Sequence, residues 1–156
     1  MNIQFLAVSM ALMISLAGVN FCTTSEPIPH SVSETVKSIV INSNDQMKFD
    51  TAEIRVSAGE KIRLTLNHTG KLPKTAMGHN FVLLEKGTDI ADFGMQAMNA
   101  KDNQYIPANG VIVHTKLIGG GESTTIEFTA PAKGNYDFVC SFPGHYAMMK
   151  GKFIVE

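Results

Sequence analysis

The amino-acid sequence predicts an all-β domain of eight strands, and three observations carry that expectation. From Ile39 onward, short alternating or apolar runs recur between turn residues at fairly regular intervals. In one of them Ile62, Leu64 and Leu66 alternate with Lys61, Arg63 and Thr65, the two-residue period of a strand with one face in a core. A single stretch, Thr88 to Asn103, departs from this pattern toward a helical period. Eight such strands bury their apolar faces by closing as two packed sheets.

Taken in order, residues 1–25 hold no charged side chain, and Phe5 to Ala17 is an apolar run broken only by serines. That is about the length of a signal-peptide core and short for a membrane span. Export is therefore expected, with Ser15, Leu16 and Ala17 offering small residues for cleavage and an uncleaved anchor as the alternative. Cys22, followed by Thr23, Thr24 and Ser25, resembles the acylated cysteine of a bacterial lipoprotein, although Phe21 is larger than the residue such processing prefers. Residues 26–37, with Pro27, Pro29, several serines and His30, show no periodic apolar face and read as a linker. The domain then occupies residues 38–156.

Strands are expected over Ser38–Asn42, Glu53–Val56, Lys61–Asn67, His79–Glu85, Val111–Leu117, Thr124–Thr129, Asn135–Cys140 and Lys152–Val155. Between the fourth and fifth, Ile90, Phe93, Ala97 and Met98 fall at three- and four-residue spacings, with Asp89 able to cap the start, so Thr88–Asn103 reads as an amphipathic helix. Gly94 is the residue within it that disfavours helix. Met95 and Met98 are expected to fill gaps in the core. At 156 residues and a formal net charge of -1, the chain suits one domain with its own core. Without basic runs it has nothing to offer a phosphate backbone, which excludes nucleic acid as a partner.

The chemistry concentrates in Cys140, Ser141, Phe142, Pro143, Gly144, His145, Tyr146, Ala147, Met148 and Met149. Tyr136, Phe138 and Cys140 share one strand face, so the thiol points toward a core. Pro143 and Gly144 then turn the chain and bring His145 back beside Cys140. Met149, four residues on, projects the same way as His145 if the segment coils locally. A thiol, an imidazole and a thioether are soft and borderline ligands that favour copper, with zinc next. A second imidazole is expected from His79, at the head of the apolar run that continues through Leu84. Gly78 before it leaves its carbonyl approachable.

These residues give the chain a resemblance to the azurins, blue copper proteins of the cupredoxin family, from about Asn44 to Glu156. Asn44, Asp45, Gln46, Met47; Leu72, Pro73, Lys74; Met77, Gly78, His79, Asn80; His114 through Gly119; and Lys150, Gly151 carry it alongside the Cys140 segment. The resemblance implies a Greek-key sandwich with a helix in a flap outside it. It implies one copper ion, cycling between Cu(I) and Cu(II), held by His79, Cys140 and His145, with Met149 and the Gly78 carbonyl as weak axial ligands. It further implies an apolar docking patch of Met47, Leu72, Met77, Phe142 and Ala147 around His145, edged by Lys71, Lys74 and Lys150. His68, on the inward register after Leu64 and Leu66, matches a histidine whose protonation shifts the potential in azurins. A core or turn histidine satisfied by the backbone is the alternative. Two departures stand out: Ser57–Glu60 lacks the cysteine of the usual azurin disulfide, and Phe81 replaces a buried Trp.

With every position around the metal taken by protein, the expected role is one-electron transfer rather than catalysis. Partners would be redox proteins such as a c-type cytochrome or a copper- or haem-containing reductase, in the bacterial periplasm or cell envelope. Membrane contact is expected only if the N-terminus is lipidated or uncleaved. Copper binding and delivery in the envelope is the alternative. A copper enzyme would need a second histidine-rich centre, which His30, His68 and His114 do not form. His114 is expected to lie solvated on a strand.

Overall fold

The computed structural model describes residues 35–156. The predicted leader, Cys22, His30 and the linker up to residue 34 lie outside the described residues. Among the described residues nine strands build two sheets: β1 (Val36–Asn44), β2 (Lys48–Phe49), β3 (Glu53–Val56), β4 (Lys61–His68), β5 (Val82–Leu84), β6 (Val111–His114), β7 (Ser123–Thr129), β8 (Gly134–Val139) and β9 (Lys150–Val155). One sheet runs β2-β1-β4-β7 and the other β3-β9-β8-β5-β6. Each of the eight expected strands has a counterpart, but His79–Glu85 shortens to Val82–Leu84, Val111–Leu117 ends at His114 and Asn135–Cys140 stops at Val139, and β2 is the addition. β1 starts at Val36, inside the segment read as linker, because its whole length pairs in parallel with β4, Val36 opposite Lys61.

Alternation sets the core. In β4 Ile62, Leu64 and Leu66 are fully buried, and they share a core with Ile41, Phe138 and Phe153 from other strands and with Phe81, just before β5. Each such side chain contributes about 1.5–3 kcal/mol by leaving water. Phe81 fills the expected Trp position and packs at 5.2 Å from Phe138, ring centre to ring centre. The cysteine-free turn Ser57–Glu60 is tied by hydrogen bonds instead. Ser57 N–H donates to the Glu60 carboxylate at 2.9 Å, and Ala58 N–H to the Glu156 carbonyl at 3.1 Å.

Two helices lie between strands, α1 (Lys74–Met77) and α2 (Ile90–Asn99). Asp89 caps α2 as expected, its carboxylate accepting the Ala91 and Asp92 N–H groups at 2.8 and 2.9 Å. The helix does not run to Asn103. It stops at Asn99, a 3-10 turn covers Lys101–Asn103, and Gln104 and Tyr105 take positive φ to reverse the chain. Its buried face is Phe93, Gly94 and Ala97. Met95 and Met98 are 53% and 52% exposed and fill no gap in the core. Each residue advances about 100° around a helix, so with Phe93, Gly94 and Ala97 facing inward, Met95, about 200° from Phe93, and Met98, about 100° beyond Ala97, turn away.

Candidate metal centre

The site lies where the five-stranded sheet ends. His79 precedes β5 and is fixed by a two-bond bridge: its N–H donates to the Ile118 carbonyl at 2.9 Å and its carbonyl accepts the Ile118 N–H at 2.8 Å. Gly78 before it packs so closely that a side chain would collide with the Lys74 carbonyl. Cys140 follows the last residue of β8, and its N–H donates to the Met149 carbonyl at 2.9 Å, closing the loop that contains His145. Inside the loop, Gly144 takes φ 80° and His145–Ala147 form a 3-10 turn. The His145 carbonyl accepts from Met149 N–H at 2.7 Å, so the local coil expected from the spacing is present. Met149 is fully buried and Met148 is 70% exposed.

Two residues to which the sequence reading gave no role of their own tie the ligand segments together. Asn80 donates to the Ser141 hydroxyl at 2.8 Å and accepts the Ser141 N–H at 2.9 Å. Each stands directly after a candidate ligand. A polar residue in that position, inside an otherwise apolar run, was the available signal.

The result is a triangle of donor atoms. Cys140 Sγ lies 3.8 Å from His79 Nδ1 and 3.7 Å from His145 Nδ1, and the two nitrogens are 3.3 Å apart. A point equidistant from the three is roughly 2.1 Å from each, close to the ~2.0–2.3 Å of metal–imidazole and metal–thiolate bonds. His79 Nε2 donates to the Asn44 carbonyl at 2.9 Å, which leaves Nδ1 with a lone pair facing inward. The Gly78 carbonyl oxygen is 3.8 Å from Sγ. These three side chains are the group of histidine, cysteine and acidic residues, among the described residues, that converge tightly enough to hold a metal ion.

Burial governs the charge state. It pushes the Cys140 thiol up to about 12, against the opposing pull of the Asn80 and Phe142 N–H groups. Burial also lowers His145 to about 4, helped by the neighbouring His79 and His68, and lowers His79 despite its bond to Asn44. Without a metal the centre is therefore neutral at pH 7, and a bound cation must displace the thiol proton. The donor set suits copper, the soft thiolate favouring it and the imidazoles accepting it.

His68 is not in the triangle. It stacks on His79 at 4.3 Å, donates from Nε2 to the Met77 carbonyl at 2.9 Å and accepts the Gly70 N–H at Nδ1. His114 is exposed on β6, as expected. Of the docking residues, Phe142 packs on His145 at 4.7 Å and is only 9% exposed. Met47 and Leu72 are 36% and 42% exposed, Ala147 is exposed and Met77 half-buried. His145 itself is 4% exposed, less than a surface histidine but more than the other candidate ligand side chains.

A two-sheet sandwich carrying one buried thiolate–imidazole centre defines a mononuclear copper protein. The model of the family described as copper binding proteins, plastocyanin/azurin family, matches residues 35–156, and the chain belongs to that family. It is 45% identical over 126 residues to azurin from Bordetella pertussis, covering 73% of this chain and 80% of that one. It is 44% identical over 117 residues to outer membrane protein H.8 from Neisseria gonorrhoeae, covering 72% of this chain but spanning only 63% of that relative. Auracyanin A, a blue copper protein from Chloroflexus aurantiacus, superimposes with a TM-score of 0.72 at 30% identity, over 78% of this chain and 100% of that one.

Proposed function

We propose that the protein is a one-electron carrier of the bacterial cell envelope, with His79, Cys140 and His145 as copper ligands and Met149 and the Gly78 carbonyl as weaker axial ones. The donor triangle carries the reading. Copper bound there would supply the Cu(I)/Cu(II) couple. The chain's part is to keep the donors in place. The Ile118 bridge fixes His79, the Asn80–Ser141 pair fixes Cys140, and the Cys140–Met149 bond closes the loop. Donors that cannot rearrange limit the reorganisation that accompanies each electron.

With Met149 and the Gly78 carbonyl holding copper beside the three closer donors, no coordination place would be left for a substrate, which supports electron transfer over catalysis. His145, the least buried ligand, offers the short way in for an electron. The apolar patch of Met47, Leu72, Met77, Phe142 and Ala147 would let a redox protein, such as a c-type cytochrome or a haem- or copper-containing reductase, expel water there.

The likeness to an outer membrane protein of Neisseria favours an envelope location. Among the described residues no helix is long and apolar enough to cross a membrane. Residues 1–25 would hold the export leader, with Cys22 as the lipid attachment point where processing is of the lipoprotein kind, and the residues between it and β1 as tether. Copper delivery is the lesser reading, since a buried thiolate holds copper rather than passing it on. Adding Cu(II) should give an intense visible thiolate-to-copper band that reductant bleaches and oxidant restores. A colourless adduct, or one that reductant leaves unchanged, would defeat the proposal.

A further inference from the structure

Gly94 sits in the middle of the ten-residue helix α2, where glycine costs about 1 kcal/mol relative to alanine. Its place in the packing shows what it provides. A methyl group on Gly94 would overlap the Cγ, Cδ1 and Cε1 atoms of the Tyr146 ring. That ring also packs against the second core cluster of Val82, Leu84, Phe93, Ile106 and Val139. Tyr146 directly follows His145 and lies in the same 3-10 turn, three residues before Met149. The flap helix is thus bolted, through one aromatic ring in a glycine notch, to the loop that carries two of the candidate ligands.

We infer that Tyr146 is a positioning residue for the metal centre. Its ring, seated against Gly94, holds the His145–Met149 turn from outside, as the Asn80–Ser141 pair holds the Cys140 end from inside. The inference rests on the copper-ligand reading above. Without the ring, the turn is free to swing away from His79 and Cys140, so both the metal-free loop and the loaded centre should loosen together.

The test uses the full chain and four proteins: wild type, Tyr146→Phe, Tyr146→Ser and Gly94→Ala. Hydrogen exchange at the Met148 and Met149 amides is read in the metal-free state. Loss of copper to a Cu(I) chelator is read in the reduced, loaded state. Tyr146→Ser and Gly94→Ala should speed both, the copper loss by about tenfold to a hundredfold, while Tyr146→Phe, which keeps the ring, should match wild type. Faster exchange confined to α2, with copper loss unchanged, would reduce Tyr146 to an anchor for the helix and overturn the inference. A Tyr146→Phe protein as leaky as Tyr146→Ser would overturn it too. Should Gly94→Ala not fold, the Phe and Ser pair still decides. Wild type that binds no copper in a thiolate-absorbing form would instead sink the ligand reading on which this rests.

Discussion

The two imidazoles of the centre are the same group held in different ways. His79 is fixed by the fold: both its backbone hydrogen-bonding groups pair with Ile118, its Nε2 is bonded to the Asn44 carbonyl, and its ring stacks on His68. His145 is fixed by its loop: its backbone is bonded to Phe142, Met148 and Met149, and among the described residues its ring packs on Phe142 with no hydrogen bond to Nε2. One imidazole belongs to the sandwich, and the other to a hairpin leaving it. The site thereby has a wall set by the sheets and a face set by the loop, and an electron carrier needs the face toward its partner.

The largest expected effect removes what the two imidazoles share. Cys140→Ser replaces the soft donor by a hard hydroxyl of similar size, so the visible band should vanish while the sandwich remains, with stability shifted by about 1–2 kcal/mol at most. Near-native circular dichroism without colour is the expected pair of readings, and a retained band would reassign the thiolate. The next comparison sets the imidazoles against each other. His145→Gly opens a notch at the surface that added imidazole can enter, so colour should return on titration. His79→Gly empties a fully buried position, and loss of a buried ring costs about 3–5 kcal/mol. Its colour should not return, and equal rescue of both variants would erase the distinction between wall and face.

How far this was legible in the sequence follows from the same difference. The loop contains Cys140, His145 and Met149 within ten residues, so local chemistry alone exposed it. The strands were legible because burial of one face imprints a two-residue period, as at Ile62, Leu64 and Leu66. β2, two residues long, and α1, four long, are too short to carry any period. The helix over-ran its true end because residues 100–103 hold neither glycine nor proline to mark a stop, and the chain leaves the helix through a 3-10 turn instead. What stayed hidden are pairings between distant positions. Asn80 and Ser141, or Gly94, stand out as unusual residues in their runs, but nothing in either member of Asn80 with Ser141, Ile118 with His79 or Gly94 with Tyr146 names the other.

Smaller effects should separate the wall from the face by their supports. Asn80→Ala removes the strut between them and strands the buried Ser141 N–H, which costs about 1–3 kcal/mol. Urea denaturation of the metal-free protein should register that loss, and a change well below it would mean that the loop re-pairs on its own.

The smallest effect concerns the wall alone. Asp45 accepts the Lys71 N–H at 2.8 Å and the Leu72 N–H at 3.3 Å, next to the Asn44 carbonyl that anchors His79. The Lys71 bond leads in holding its carboxyl below the usual 3.8, against partial desolvation. A carboxyl lowered by folding adds stability that is present in full above its unfolded value and is lost as pH falls through the folded one. Asp45→Asn should therefore be less stable than wild type at neutral pH, and the gap should close below pH 3.8 as the wild-type carboxylate protonates. The His145 loop has no carboxylate in a corresponding role, so its amide shifts should stay flat over the same range while those of Lys71 and Leu72 move. A gap independent of pH, or loop amides that titrate with Lys71, would show that the two imidazoles share one support after all.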